Sequence, residues 1–320
     1  MTVRSVIIGT GSYLPEKRVT NDDLSQHLET SHEWIVERTG ICARYLAAPG
    51  EYTSDMAVAA SLEALSAAKL TPQDIDMVIL ATATPDHTFP ATATRIQSKL
   101  GISKGFAFDQ SAVCSGFVFA LATADAYLKQ GMAKTALVIG SETMSRLLDW
   151  NDRKTAVLFG DGAGAVVLEA QSQTDRGIIG SLLRTDGCGY DDLYVTGGPS
   201  TTQTTGIIHM NGREVFRNAV HRLEETALEI LEIHGISQNE IDWLVPHQAN
   251  KRIIDATAKK LGLPDSKVIH TGADQANTSS ASIPLALDHA VRDGRIKKGD
   301  LILCEAFAGG FAWGSNLIRI

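Results

Sequence analysis

Three side chains in this sequence could share one reaction. Cys114 stands in SAVCSGF (111–117), His247 in VPHQAN (245–250) and Asn277 in QANTSSAS (275–282). Small residues surround Cys114, and the stretch that follows, Gly116–Gln130, has only Asp125 and Lys129 as charged members. A thiol at the mouth of so apolar a helix reads as a placed nucleophile. The thiolate is the reactive form, and an ordinary cysteine with a pKa of about 8.5 is mostly protonated at neutral pH. A helix N-terminus contributes about 0.3–1 kcal/mol, which is less than about one pKa unit. An imidazole or a set of backbone donors must therefore do the rest. Neutral histidine and asparagine can each donate a hydrogen bond to a carbonyl oxygen that is gaining negative charge. No carboxylate is placed to orient His247, so the trio suits enolate chemistry better than passing protons to water. Taken singly, each has a plainer reading: a buried structural cysteine, a satisfied histidine at a strand end, a helix N-cap.

Those residues need elements to carry them. Strand-like runs (VRSVIIG, DMVILAT, TALVIG, AVVLEA, then IIGSLLR, DWLVP, DLILCEAF, SNLIRI) alternate with amphipathic stretches at 54–70, 214–234 and 250–262. The alternation predicts an α/β or mixed fold. KLTPQDIDMVIL (69–80) is echoed by GISQNEIDWLVP (235–246), pairing Ile75 with Ile241. A second echo pairs Cys114 with Asn277, and Gly131 and Gly294 then stand equally far downstream, each suited to a left-handed helix cap. The chain therefore reads as two similar halves, 1–172 with the cysteine and 173–320 with the histidine and asparagine. On this reading Cys114 and Asn277 occupy matching helix N-termini. His247 follows the strand 242–246, and ligand sites gather beyond the carboxyl ends of such strands. FGDGAGAVVL (159–168) lacks the ending of a phosphate loop and reads as a tight turn in the core. AFAGGFAWG (306–314) could bring backbone N–H groups to a substrate oxygen, or simply bend the chain.

Composition narrows the partners. A chain of 320 residues can bury one large domain or two smaller ones. With 44% hydrophobic and 21% charged residues it reads as an ordinary globule. A net charge of −8 without a basic run argues against nucleic acid and anionic membranes as partners. No apolar run is long enough to span a bilayer. The opening MTVRSVIIGTG lacks a signal-peptide layout, so a cytoplasmic location is expected. Cys42, Cys188 and Cys304 are expected to be buried and structural. The scattered cysteines imply neither a disulfide framework nor a metal site.

The motifs GTGSYLPEKRVTNDDL, SHEWIVERTGI, the Cys114 turn, FGDGAGA, PHQAN, NTSSASIPLAL and AFAGGFAWG run nearly end to end. Together they resemble the β-ketoacyl-acyl-carrier-protein synthase III family, the initiating condensing enzymes of type II fatty-acid synthesis within the thiolase superfamily. The resemblance implies a thiolase-like five-layer α/β fold built from two duplicated mixed-sheet halves. It implies that Cys114 takes an acyl group, usually acetyl, from acyl-CoA. Decarboxylation of malonyl-acyl-carrier-protein then yields an enolate that attacks the thioester. His247 and Asn277 would stabilise the enolate oxygen, and the backbone N–H groups of Cys114 and Gly309 would form the oxyanion hole. Thr30, Trp34, Arg38, Arg153, Gly212 and Asn250 match contacts to CoA, with Trp34 and Arg153 sandwiching the adenine. Phe89 matches the residue that closes the acyl pocket, reaching into the partner's site in a homodimer. Gln248, Ala249, Asn250, Lys251, Arg252 and Arg217 match the carrier-protein surface. Acyl-CoA is a substrate here, and no cofactor or metal is implied. Ala308 and Ala276 depart from the family's glycines, which leaves pocket width in question. Condensing enzymes for quinolone or polyketide starter units remain open. So does a cysteine hydrolase, because papain-like proteases also order Cys, His and Asn at a comparable spacing, although their C-G-S-C-W signature is missing. A degradative thiolase would need a second catalytic cysteine, and Cys304 lies in a strand-like run instead.

Overall fold

The computed structural model describes residues 3–320. The first part runs β1 (Val3–Tyr13), β2 (Lys17–Thr20), α1 (Asn21–Ser25), α2 (His32–Thr39), β3 (Ala43–Leu46), α3 (Thr53–Ala68), β4 (Met77–Ala81), α4 (Thr92–Leu100), β5 (Phe106–Gln110), α5 (Gly116–Lys129), β6 (Thr135–Thr143) and β7 (Asp161–Ser172). The second runs β8 (Gly177–Thr185), β9 (Leu193–Val195), β10 (Ile208–Met210), α6 (Gly212–His234), β11 (Trp243–Pro246), α7 (Lys251–Lys260), α8 (Gly272–Gln275), α9 (Ser282–Arg292), β12 (Leu301–Ala308) and β13 (Ala312–Arg319).

Two mixed sheets result. The first has the order β1-β7-β6-β4-β5, with β4 parallel to both β5 and β6. The second has the order β8-β13-β12-β11, with β11 parallel to β12. A parallel bridge from Leu244 to Val268 lies beside β11, where the first sheet carries β5. The sheets thus match strand for strand. Central strands such as β4 (MVILA) are buried on both faces, which is why they read as unbroken apolar runs.

Helices α5 and α9 lie between the sheets. One core joins Phe117, Leu121 and Leu128 of α5 and Ile283 and Leu287 of α9 to Ile79 and Val138 on one side and Ile302 and Ile318 on the other. Helices α3 and α4 cover the outer face of the first sheet, and α6 and α7 that of the second. This is the expected five-layer α/β fold. An apolar helix suits the middle layer because a sheet covers it on either side, leaving only positions such as Ala126 and Lys129 of α5 exposed. The charges of α5 are handled locally, as Lys129 pairs with Asp125 at 2.6 Å. Asp288 of α9 is buried and accepts from Thr10 (2.7 Å), Ser12 (2.6 Å) and Arg292 (2.8 Å), which ties the middle layer to β1. Among the described residues no helix is long and apolar enough to cross a membrane.

The register between the halves differs from the expected one. Starts of β4 and β11 (77, 243), of β6 and β12 (135, 301) and of α5 and α9 (116, 282) all keep one separation. Val113 and Ser279, at that same separation, both have positive φ, 48° and 52°. Ser280 is therefore the counterpart of Cys114, and Asn277 lies just upstream of that turn. Helix α5 has 14 residues and α9 has 11, so matching the helix ends at Gly131 and Gly294 hid the shift. Both glycines do sit in the left-handed region, at φ 73° and 81°.

Two further expectations are corrected. FGDGAGA is no turn: β7 begins at Asp161 and continues through Gly162 and Gly164. A Cβ on Gly164 would lie 2.7 Å from the backbone of Pro284 and Leu285, so glycine is what lets α9 lie against the sheet. Of the three cysteines expected to be buried, only Cys304 is; Cys188 is exposed and Cys42 half-buried. Their neighbours in sequence do not disclose which face of a loop they take.

Candidate active site

Cys114 occupies a tight turn, Val113–Ser115, between β5 and α5. Positive φ at β-branched Val113 is a strained conformation that the surroundings must enforce. Part of that enforcement is the Ser115 hydroxyl, which donates to the carbonyl of Ala312 at 2.8 Å. Burial pushes the Cys114 thiol up to about 12; the Ser279 side chain opposes this by hydrogen bonding, and the charge of Glu142 adds to it. The helix end expected to help is too weak to offset such burial.

His247 follows β11 directly, and its backbone N–H donates to the carbonyl of Glu305 on β12 at 2.8 Å. Its ring Nδ1 lies 2.6 Å from the Ser282 hydroxyl at the start of α9. That hydroxyl also accepts the backbone N–H of Gln248 at 3.3 Å, and Nδ1 is the only acceptor within its reach among the described residues, which assigns its hydrogen to Nδ1. The proton of the neutral ring therefore sits on Nε2, a donor. Burial drives the imidazole pKa down to about 3, which keeps the ring neutral at ordinary pH. Asn277 is held just as closely. Its backbone N–H donates to Leu158 (2.9 Å), its carbonyl accepts from Gly160 (3.0 Å), and its Oδ1 accepts the N–H of Ser279 (2.8 Å). The amide Nδ2 has no acceptor among the described residues and is left as its donor.

Cys114, His247 and Asn277 line one cavity of about 460 Å³. Met144, Phe159, Leu193, Ile208 and Phe307 give it apolar walls, several of them on the short strands β9 and β10. A thiol, two neutral donors and an apolar chamber suit a reacting acyl group from which water is largely kept out.

The chain matches the family model of 3-oxoacyl-[acyl-carrier-protein] synthase III over residues 108–187, and that of its C-terminal part over residues 231–320. It is 60% identical to β-ketoacyl-[acyl-carrier-protein] synthase III of Erythrobacter litoralis over 319 residues, covering 99% of each chain. The chain belongs to the 3-oxoacyl-[acyl-carrier-protein] synthase III family. The crystal structure of that synthase from Aquifex aeolicus matches with a TM-score of 0.94 at 46% identity, covering 99% of this chain and 100% of that one. A priming β-ketosynthase of a polyketide pathway matches with the same TM-score but 36% identity, covering 99% of this chain and 96% of that one. The quinolone, polyketide and cysteine-hydrolase readings are accordingly not favoured.

Other residues that the synthase III resemblance singled out fall in several places. Gly212, Ala249, Asn250 and Arg252 line the same cavity. Trp34 lies outside it, with the guanidinium of Arg38 4.5 Å and that of Arg153 5.2 Å from its ring centroid. Arg153 also donates to the carbonyl of Glu29 at 2.6 Å, beside half-buried Thr30. Asn250 links this cluster to the cavity by donating to the carbonyl of Arg38 at 3.1 Å. Gly309 is buried between β12 and β13, next to the carbonyl of Leu193. Phe89 is 84% exposed and forms no part of this chain's own cavity. Lys251 and Arg217 are exposed and pair with Asp255 and Glu214. Gln248 is the correction. It is buried, donates to Pro246 (2.8 Å) and Ile269 (3.0 Å), and accepts from Thr271 (2.9 Å) and Gly272 (3.0 Å), so it braces the loop rather than meeting a partner.

Several residues around the synthase III site had no signal in the sequence. Arg44 is fully buried without a carboxylate partner among the described residues and donates to Asn21 Oδ1 and the carbonyl of Val157, both at 2.8 Å. It therefore steadies the segment that hydrogen-bonds Asn277. Glu305, one strand from His247, is buried with neither carboxyl oxygen hydrogen-bonded to a described residue. Burial raises its pKa from 4.5 to about 8. The folded protein thus keeps this proton where the unfolded chain has lost it. The stabilisation is complete below pH 4.5 and drains away as pH rises through 8. Glu305→Gln, which cannot ionise, should flatten that fall by about 1.4 kcal/mol per pH unit. Urea unfolding across this window measures it, and an unchanged slope would show that Glu305 ionises freely in the fold.

Proposed function

We propose that the protein carries out a two-stage acyl transfer and condensation, with Cys114 holding the acyl group between the stages. In the first stage the Cys114 sulfur attacks the thioester carbon of acyl-CoA, the bond to the CoA sulfur breaks, and the proton lost by one thiol is taken by the other. No outside base is consumed. In the second stage malonyl-acyl-carrier-protein loses CO₂. The enolate oxygen is held by His247 Nε2–H and Asn277 Nδ2–H while the carbanion attacks the acyl-cysteine. The backbone N–H groups of Cys114 and Gly309 hold the oxyanion at each transfer, and collapse frees the Cys114 thiolate and the 3-ketoacyl product. The cycle calls for no resident cofactor or metal, because both reacting groups arrive as substrates.

The observation that carries this reading is the neutral, Nε2-protonated His247 beside the free amide of Asn277 on the cavity of a buried cysteine. A ring with a pKa of about 3 is a hydrogen-bond donor here and a poor base for activating water. For CoA, the adenine enters between Trp34 and Arg153, displacing the guanidinium now on that ring, with Arg38, Thr30, Gly212 and Asn250 along the arm. Carrier protein docks near Arg252, which packs on Phe216 at 5.6 Å and forms no ion pair among the described residues. Lys251, Arg217 and Ala249 flank it. The second copy of a homodimer adds to the edge strand β5, where half-buried Phe106 and Phe108 stack on each other and pack tilted against Tyr127. Exposed Phe89 reaches that copy's acyl pocket and favours a short primer. The halves 1–172 and 173–320 are the duplicated units, and the setting is the cytoplasm. The test is sequential: acetyl-CoA alone should add one acetyl group to Cys114 by mass spectrometry, and malonyl-carrier protein should then remove it with release of CO₂. Peptide cleavage without an adduct would sink the reading.

A further inference from the structure

Glu142 takes no part in the reaction described so far, yet its surroundings tie it to that reaction. Its side chain is wholly buried at the end of β6 and forms no ion pair with any described residue. A carboxylate without a counter-ion is expensive to bury and persists only where donors surround it. Thr84 donates at 2.6 Å, Thr82 at 3.2 Å and the backbone N–H of Ala83 at 3.0 Å, all from the turn after β4. The hydroxyl of Ser279 (3.1 Å) and that of Ser280 (2.8 Å), which shares its hydrogen with the carbonyl of Ala81 (2.8 Å), complete the set from the other half of the molecule.

Ser279 is the connecting residue. Its hydroxyl donates to Glu142 and its backbone N–H donates to Asn277 Oδ1 at 2.8 Å. It holds a φ of 52°, a conformation that needs support from outside its own chain segment. We propose that Glu142 is a positioning residue for the condensation stage, aiming the Asn277 amide at the cavity through Ser279. The inference rests on the reading of Asn277 as an enolate donor. Neutral glutamine at this position would face its own N–H groups toward other donors, and the Ser279 turn would loosen. Acylation responds differently, because the charge of Glu142 opposes ionisation of Cys114 and its loss does not hinder the thiol.

Single-turnover measurements on the whole enzyme separate the two stages: uptake of acetyl from acetyl-CoA, then its discharge by malonyl-carrier protein. In Glu142→Gln, discharge should slow by about 100-fold and uptake by far less. Glu142→Asp, which keeps the charge but shortens its reach to Ser279 and leaves the Ser279 hydroxyl available to Cys114, should slow discharge by about tenfold. Equal slowing of both stages in these variants, or no slowing of discharge, overturns the proposal. If Glu142→Gln does not fold, the ratio of the two stages in Glu142→Asp decides alone. A wild-type enzyme that takes no acetyl group would instead sink the two-stage reading itself, and this inference with it.

Discussion

Cys114→Ala should abolish the acyl-enzyme and lower overall turnover by at least about 10⁴-fold, the scale seen when a covalent nucleophile is removed. Cys114 is the only thiol on the cavity among the described residues. Cys304 lies fully buried on β12, packed into the core between the sheets, and cannot substitute for it. The loss should be chemical rather than structural, since alanine keeps the strained turn's backbone and removes a single buried sulfur. Intact mass after exposure to acetyl-CoA, together with a thermal melt, checks both statements. An acetyl increment surviving in the folded variant would place the nucleophile elsewhere.

The next largest effect belongs to His247. His247→Ala should slow discharge of the acyl-enzyme by about 10²–10³-fold, as for loss of a donor to a developing oxyanion. Uptake of acetyl should fall much less, because that stage needs no enolate. A wild-type pH profile refines the test. With its pKa at about 3, the ring should show no loss of condensation from imidazole protonation near pH 6.5. An acidic limb centred there would contradict the neutral donor role. Stability should respond even though rate does not. Below pH 6.5 the unfolded chain binds a proton that the folded ring refuses until about pH 3. The contribution of His247 is therefore full above 6.5 and drains away by about 1.4 kcal/mol per pH unit as pH falls toward 3. This fall runs opposite to that of Glu305, and the two offset each other where their windows overlap.

Much of the proposed site was legible because the residues that meet on the cavity come from short runs whose types are unusual together. A cysteine among small residues, a histidine at a strand end and an asparagine before serines each stand out locally. Glu142, Arg44 and Ser282 do not. Their environments are assembled from segments far apart in the chain, so nothing beside Glu142 in sequence announces five donors. The walls Leu193 and Ile208 escaped for another reason: strands β9 and β10 span three residues each, too few for any periodicity to show. Gln248 misled because a polar residue beside a basic helix resembles a surface until its amide is found fully occupied. The helix register misled because a shorter α9 is offset by a longer turn before β12, which leaves both flanking signals intact.

By itself the sequence determined the alternation of strands and helices, the echo between two halves and the three residue types proposed to do the chemistry. Period and composition are local properties, and an apolar run or a reactive side chain shows them wherever it lies. Tertiary structure alone decided which turn faces Cys114, which ring nitrogen of His247 carries the proton and which end of the Asn277 amide is free. Those outcomes depend on hydrogen bonds between segments brought together by the stacked sheets, and on burial that moves a thiol up and an imidazole down. Desolvation is a property of the packed interior and has no counterpart in the order of residues along the chain.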